Sequence, residues 1–501
     1  MIVYKSFEEA KNGTMIPVFL SGKTMESRYN PQRDAENLFN SINKNARFFL
    51  VFGIGSGTFI EILAKNIKDA KILALEINSE DIDFLLQNQS VKNLSDNSNI
   101  KLVSLDQLEE ALLENYLPAK FGELCIVEQR AWVAENPKAI PSINQILKKT
   151  IGIIKADYSV QTHFGKIWTS NIMNNSSLAE KYSLYNFNRN IKNHLNKKAV
   201  VVAAGPSLDK TISLLTRTNS RDDYYIFATD TAGQSLLKKG ITPDVIVSID
   251  GQSVSYNHFI TKSSDEKKSI YAFDLCSNSS AARHLFEAGS NVMYFCSGHP
   301  LSRAINSCNN NILPFYFSGA GTVTITALDM AIQSGFKEIL ILGADFAYPD
   351  GKAYAAGTYL DILYNQKSSK LAESEKNFSA LMFRTELIEN IKKTKTTEIL
   401  DAYRLSLESY LTDKGIIFNK ENEVYYLKNP SAKLSADNNS SKENTFSLKA
   451  FFEKIKSSKA EEIEVIFLPY IAWLRNSKEY KDLSYEELLK LALESIVRYN
   501  I

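Results

Sequence analysis

Several aspartates in this sequence stand at the ends of apolar runs long enough to be buried strands. Asp230 closes IFATD and is followed by Thr231 and Gly233; Asp250 closes VIVSID and is followed by Gly251 and Gln252. Asp345, near the end of EILILGADF, is followed by Tyr348, Asp350, Gly351 and Tyr354. A carboxylate so placed can deprotonate an acceptor hydroxyl, because position outranks intrinsic pKa in choosing a base, or it can cap a loop. Phenol hydroxyls can donate to a leaving phosphate without bringing charge. A further run, Ala199–Ala204, leads into Gly205-Pro206-Ser207-Leu208-Asp209. Gly205 lets the backbone approach a ligand, Pro206 suits a first helical turn, and Ser207 can cap or donate. The functional reading is a phosphate cradle of free N–H groups at a positive helix end; in isolation the same residues make an ordinary strand-to-helix turn. Phe317-Ser318-Gly319-Ala320-Gly321-Thr322 precedes a helix whose buried side is Val323, Ile325, Ala327, Leu328, Ala331 and Ile332. Ser318, Gly319 and Thr322 suit an anion or a sugar hydroxyl, or close packing of helix on sheet.

In a doubly wound sheet ligands bind beyond the carboxyl ends of the strands, so these positions require such a sheet beneath them. The runs KAVVVAA from Lys198, Tyr224–Asp230, Pro243–Asp250, Ser269–Leu275, Asn291–Ser297 and Glu338–Phe346 supply it. A separate series lies upstream. Ala46–Gly53 breaks into glycines and a helical Phe59–Asn66, and Lys71–Ile77 and Leu124–Glu128 follow. The expected class is α/β, with two Rossmann-like doubly wound domains followed by a mainly helical C-terminal region. The expected boundaries are 1–150 for an N-terminal Rossmann-like domain, 151–196 for a helical bridge, 197–365 for a central nucleotide-sugar domain and 366–501 for the helical region. The Ser/Asn/Lys-rich 429–444 is read as a flexible loop within the last of these.

At 501 residues the chain exceeds what one core should serve. Its 44% hydrophobic and 23% charged content is that of a folded globular protein. Lys+Arg 58 against Asp+Glu 57 leaves a charge of +1, so no global field draws nucleic acid or anionic lipid. Any anion site must be local. No secretory leader and no 18-residue apolar run is present, and a soluble cytoplasmic protein is expected. Cys125, Cys276, Cys296 and Cys308 lie far apart with no C-x-x-C pair, as reduced and mostly buried thiols would.

AAGPSLD (Ala203–Asp209), FATDTAG (Phe227–Gly233), PDVIVSIDGQ (Pro243–Gln252) and the long Ser318–Tyr354 segment together resemble the motility accessory factor family of flagellin glycosyltransferases. SRYNPQRDAE (Ser27–Glu36) is similar to that family's opening segment. The central domain also resembles archaeal 6-hydroxymethylpterin pyrophosphokinases and, in motif order, bacterial sialyltransferases that use a CMP-activated nonulosonic acid. The sialyltransferase resemblance implies that Gly205, Pro206, Ser207 and Leu208 receive the nucleotide and that Ser318 and Gly319 lie by the sugar. It places the phosphate-binding tyrosines on Tyr348 and Tyr354, each displaced by one residue. Those enzymes carry a catalytic histidine downstream of the tyrosines. All five histidines here (His163, His194, His258, His284, His299) lie upstream, so His299, His258 or an acid such as Asp250 must stand in.

The resemblance implies a cytoplasmic glycosyltransferase that moves a nonulosonic acid, of pseudaminic or legionaminic type, from its CMP donor to Ser or Thr of flagellin. Asp250, His299 and Asp345 are then the candidate catalytic groups, Gly205, Pro206, Ser207, Asp230 and Thr231 the nucleotide contacts, and Gln252, Ser318, Gly319, Thr322, Tyr348 and Tyr354 the sugar and phosphate contacts. No cofactor is required and no metal ligand is assigned, although a divalent ion is compatible. Two alternatives stay open. One is a pterin-type diphosphokinase using ATP and Mg²⁺, held by Asp230, Asp250 and Asp345; the other is a non-catalytic flagellin-binding motility factor. In the N-terminal series, Gly53-Ile54-Gly55-Ser56-Gly57 with Glu76 ending the next strand has the layout of a nucleotide turn with an acidic ribose partner. It resembles the first motif of S-adenosylmethionine-dependent methyltransferases; the choice there is between a scaffold and a live cofactor pocket.

Overall fold

The computed structural model describes residues 2–216, 220–260, 268–319, 321–366, 374–390, 393–432 and 446–499. They form two compact units: residues 1–165 with 467–493, and residues 166–466 with 494–501.

In the first unit, β1 (Tyr4–Glu9) and β2 (Met15–Phe19) form an antiparallel hairpin. Strands β3 (Phe48–Phe52), β4 (Lys71–Glu76), β5 (Ile100–Ser104) and β6 (Leu124–Glu128) form a parallel sheet in the order β5-β4-β3-β6. The direction of winding reverses between β3 and β6, so this is a Rossmann-type half. FFLVF in β3 is buried at every position, as a central parallel strand covered on both faces must be. Phe48, Phe49, Phe52, Leu63, Leu73 and Trp132 are core residues. The returning C-terminal piece is tied to this unit by Arg475, whose Nε donates to the carbonyl of Ala119 at 3.0 Å.

The second unit is built on an eight-stranded sheet. Its strands are β7 (Lys198–Val202), β8 (Tyr224–Thr229), β9 (Val245–Ser248), β10 (Ile270–Asp274), β11 (Asn291–Phe295) and β12 (Glu338–Leu342), joined later by a C-terminal hairpin. A separate small ladder pairs β13 (Ile388–Glu389) with β14 (Lys395–Thr396). The hairpin strands are β15 (Ile417–Glu421) and β16 (Val424–Lys428), and the order is β11-β10-β9-β8-β7-β12-β16-β15. Strands β7 to β12 are parallel, while β16 pairs antiparallel to β12. The region read as helical therefore also contributes two strands to the central sheet. Alternate residues serve opposite faces. Ala199, Val201, Phe227, Val245 and Ile341 pack with the helix Val323–Gln333, whereas Ile246 on the other face meets Gly233 of the helix Asp230–Lys238. The chain runs outward from β7 to β11 and then returns to β12 on the other flank of β7. The topological switch point thus lies between β7 and β12, where a doubly wound sheet opens its crevice. The segment read as a loop lies, from residue 433 onward, outside the described residues.

Candidate functional site

The switch point is where the structure departs most from expectation. Gly205 follows β7 and Asp345 follows β12, and the two are in contact: a Cβ on Gly205 would collide with the Asp345 carboxylate and the Gly343 carbonyl. The amide of Ser207 donates to Asp345 Oδ2 at 2.8 Å. Gly205 N–H donates to Gly343 O, Leu208 N–H to Gly205 O, Asp209 N–H to Pro206 O and Lys210 N–H to Ser207 O. Pro206 has no N–H, and the helix that follows is the single turn Leu208–Thr211. In place of a cradle of free amides, each amide from residue 205 to 210 has a protein partner, and the Asp345 carboxylate accepts from the Ser207 amide. The Ser207 hydroxyl is buried beside this carboxylate without an aligned hydrogen bond. Burial, the largest influence, raises Asp345 above the ordinary carboxylate range, against the lowering effect of its Ser207 contacts and of Lys420.

The chemistry gathers over β8 and β9 instead. Asp230 opens the helix after β8 and is buried; its Oδ1 accepts from the Thr231 amide at 2.7 Å and its Oδ2 from Ser248 Oγ at 2.7 Å. Asp250, after β9, accepts from the Gln252 amide at 2.9 Å. Burial raises Asp250 most, neighbouring Asp230 raises it further, and His258 opposes. His258 ends the 3₁₀ segment Ser253–His258 and meets the Tyr359 ring edge-to-face with centroids 4.6 Å apart. Its Nδ1 is buried without a partner among the described residues. Burial pushes the Tyr354 phenol up to about 12, and Tyr348, Tyr359 and Asp230 add to the shift. Asp230, Asp250, His258, Tyr354 and Tyr359 are thus one cluster, with Tyr348 at its edge. Hydrogen bonds fix Tyr354 through the residues beside it. Ala355 N–H donates to Ala204 O at 2.9 Å, Ala356 N–H to the Asp209 carboxylate, and Ser235 Oγ to Ala356 O at 2.6 Å.

His299 lies elsewhere. It follows the edge strand β11, so five strand spacings, roughly 24 Å at ~4.8 Å each, separate its strand from that of Asp345. Its Nδ1 accepts from the Leu301 amide at 3.2 Å and caps the helix Pro300–Cys308. Burial holds its pKa down to about 3. Its Nδ1 is engaged in that cap, its Nε2 is buried without a partner among the described residues, and the structure does not bring it to the Asp230–Asp250 cluster. Ser318, Gly319 and Thr322 precede the helix Val323–Gln333, where Thr322 makes no side-chain cap and Gly319 packs against Ile325 and Ser406. No hydrogen bond among the described residues joins these three to the Asp230–Asp250 cluster. Gln252 is exposed beside Asp250. The metal reading of Asp230, Asp250 and Asp345 finds no group of metal-ligating side chains among the described residues. The aspartates were findable from their positions at strand ends, but the pairing of His258 with Tyr359 was not. The role of Asn171 and Asn175 was also missed: one helical turn apart, they grip the carbonyls of Gly251, Cys276, Leu275 and Ser277 and so fix the ends of β9 and β10.

In the first unit the glycine-rich turn is filled by the protein itself. Cβ atoms on Gly53 or Gly55 would strike Met25, Trp132 or Glu26. Glu26 Oε1 accepts from the Ser56 amide at 2.6 Å, in the manner of a bound anion. Glu76 is fully buried and accepts from the Ile54 amide at 2.7 Å, from Trp132 Nε1 at 2.8 Å and from the Tyr4 hydroxyl at 3.1 Å. Its carboxyl is engaged by the fold's own donors, the arrangement a scaffold calls for. Although part of Glu26 reaches the surface, its carboxylate faces inward, and burial raises it to about 7. Because the folded-state pKa lies above the ordinary 4.5, the fold favours the neutral acid. That stabilisation is complete below pH 4.5 and is lost as pH rises through 7. Glu26→Gln keeps the acceptor for Ser56. Thermal unfolding from pH 5 to 8.5 should therefore show a flatter loss of stability in Glu26→Gln than in the parent, by roughly 2–3 kcal/mol at ~1.4 kcal/mol for each tenfold change in the acid constant. Parallel slopes would refute the assignment.

Residues 170–351 match the family model described as 6-hydroxymethylpterin diphosphokinase MptE-like. A Treponema pallidum (strain Nichols) protein, described as an uncharacterized protein, is 34% identical over 154 residues, 30% of this chain and 70% of that one. The chain belongs to that protein's family. A second protein of the same organism, also described as uncharacterized, is 29% identical over 232 residues, covering 45% of this chain and 75% of that one. A solved structure, described as that of a MAf glycosyltransferase from Magnetospirillum magneticum AMB-1, aligns over 99% of this chain and 91% of that one with a TM-score of 0.46 and 13% identity. The family-model description coincides with the pterin pyrophosphokinase resemblance read from the motifs of the central domain. The family model spans β7 to β12, and with them Asp230, Asp250 and His258, while Tyr354 and Tyr359 lie beyond its end. Among the described residues no helix is long and apolar enough to cross a membrane.

Proposed function

We propose that the chain is a glycosyltransferase that moves a nonulosonic acid of pseudaminic or legionaminic type from a CMP-activated donor to Ser or Thr of flagellin, in the cytoplasm before export. The observation that carries this reading is the convergence of Asp230, Asp250, His258, Tyr354 and Tyr359 at the carboxyl ends of adjacent strands, next to the switch point. The motif resemblance supports it. The acceptor oxygen attacks the anomeric carbon while the bond from that carbon to the phosphate oxygen breaks, and the bonding pair leaves with CMP. Asp250 takes the acceptor proton, with His258 beside it. The departing charge is received by the hydroxyls of Tyr354 and Tyr348 instead of the turn amides, which are already engaged. No metal or cofactor is needed in this scheme.

CMP at 100-fold over its dissociation constant is expected to stabilise the protein by about 2.7 kcal/mol, read as a rise in melting temperature. No rise with CMP or CMP-sugars would remove the reading. The family match favours a second reading, in which ATP and Mg²⁺ diphosphorylate a pterin; Mg²⁺-dependent ATP consumption on adding a pterin would select it. A non-catalytic flagellin-binding role is separated by the intact mass of flagellin, which should fall in a strain lacking this chain.

A further inference from the structure

A cavity of about 650 Å³ lies beside the cluster, within the ~300–1,000 Å³ of small-ligand pockets, and is lined by Tyr348, Gly351, Met382–Leu387 and Lys395. Tyr348 belongs to both places, because its phenol lies close enough to Tyr354 to influence that residue's ionisation. The wall is tied to the loop after β12: the Tyr348 amide donates to Lys395 O at 2.8 Å, and Thr396 Oγ1 to Phe346 O at 2.7 Å. That loop holds Phe346 at φ 51° and Asp350 at φ 54°, left-handed conformations costly for such residues and retained where a surrounding site fixes them. Two cations face the cavity. Lys395 is paired with Glu389 at 2.7 Å. The Arg384 side chain has neither a hydrogen bond nor an ion pair among the described residues, and its planar fork matches a carboxylate. Phe383 beside it is 70% exposed and offers an apolar platform for the non-polar face of a ring.

We propose that this cavity is the subsite for the acidic sugar of the donor, with Arg384 binding its carboxylate. The inference rests on the glycosyltransferase reading. A carboxylate on the anomeric carbon lies next to the phosphate-bearing oxygen, which is the relation between Arg384 in the cavity and Tyr348 at its junction with the cluster.

The test measures the affinities of CMP and of CMP-N-acetylneuraminic acid, as a probe, for the full chain and for Arg384→Ala. Arg384 is exposed and its side chain has no partner among the described residues, so the variant should fold. The parent is expected to bind the CMP-sugar ~10- to 100-fold more tightly than CMP, the worth of a hydrogen-bonded charge pair. Arg384→Ala should bind CMP unchanged and lose most of that margin, with partial recovery in Arg384→Lys. If CMP binds but the margin is absent, or survives in Arg384→Ala, the subsite is overturned while the function stands. A surviving margin with a raised KM for flagellin would give the cavity to the acceptor and equally overturn it. If neither ligand binds the parent, the function itself fails.

Discussion

Asp250→Asn should slow sugar transfer by about two to four orders of magnitude, the usual worth of a positioned general base, while leaving CMP affinity within a few-fold. Asparagine retains the oxygen that accepts the Gln252 amide at 2.9 Å, so the loop after β9 keeps its shape and the loss falls on proton transfer alone. The pH profile carries the sharper test. Burial and the neighbouring Asp230 raise Asp250, so the active, deprotonated form is reached later on the pH scale than for an ordinary aspartate. In the parent, kcat should rise with pH through this displaced pKa, and in Asp250→Asn the acidic limb should vanish with the rate. His258→Ala has the opposite signature. His258 favours the ionised form of Asp250, and removing it should move the acidic limb upward without erasing it. A variant in which Asp250→Asn retains parental kcat would assign the proton to another group.

The parallel strands were legible because strands buried on both faces must be written as unbroken apolar runs. Leu124–Glu128 has its expected bounds, and KILALE of β4 and YYIFAT of β8 differ from expectation only at their ends. Several strands that escaped lack that signature. YKSFEE of β1 has one buried position, IKLVS of β5 is an edge strand interrupted by an exposed lysine, and every position of IFNKE in β15 is at least partly exposed. The hairpin of β15 and β16 pairs with β12, far away in sequence, and nothing local in residues 417–428 specifies that partner.

The site shows the same division between local and distant information. A carboxylate after an apolar run was read as standing at a strand end, and Asp230 and Asp250 follow β8 and β9. Whether such a carboxylate meets a ligand or the protein's own amide is decided by the neighbouring strand. Asp345 meets Ser207 because β12 and β7 pair in parallel with Leu342 opposite Val202, which brings their loops together. The motif G-P-S-L therefore identifies the crevice without identifying what its amides bind. Likewise Met25 and Glu26 enter the glycine-rich turn of the first unit from a segment whose sequence bears no mark of that role.

Glu76→Ala is expected to destabilise the first unit strongly, which tests the scaffold reading more directly than a ligand experiment. Three buried donors, the Ile54 amide, Trp132 Nε1 and the Tyr4 hydroxyl, converge on this one carboxyl group. Truncation leaves all three without an acceptor, at ~1–3 kcal/mol for each unsatisfied group, and opens a cavity beside the fully buried Trp132. Burial raises Glu76 to about 8, against the lowering effect of these hydrogen bonds. A loss of about 3–5 kcal/mol is a large part of the ~5–15 kcal/mol that holds a domain folded. In calorimetry it should lower the melting of this unit by roughly 10 °C, at ~2–4 °C per kcal/mol for a unit of this size. If Glu76 were instead a ribose partner, the same substitution would leave melting intact and abolish binding of an adenosine-containing ligand. The two roles predict opposite results from one variant, and the three hydrogen bonds commit Glu76 to the first.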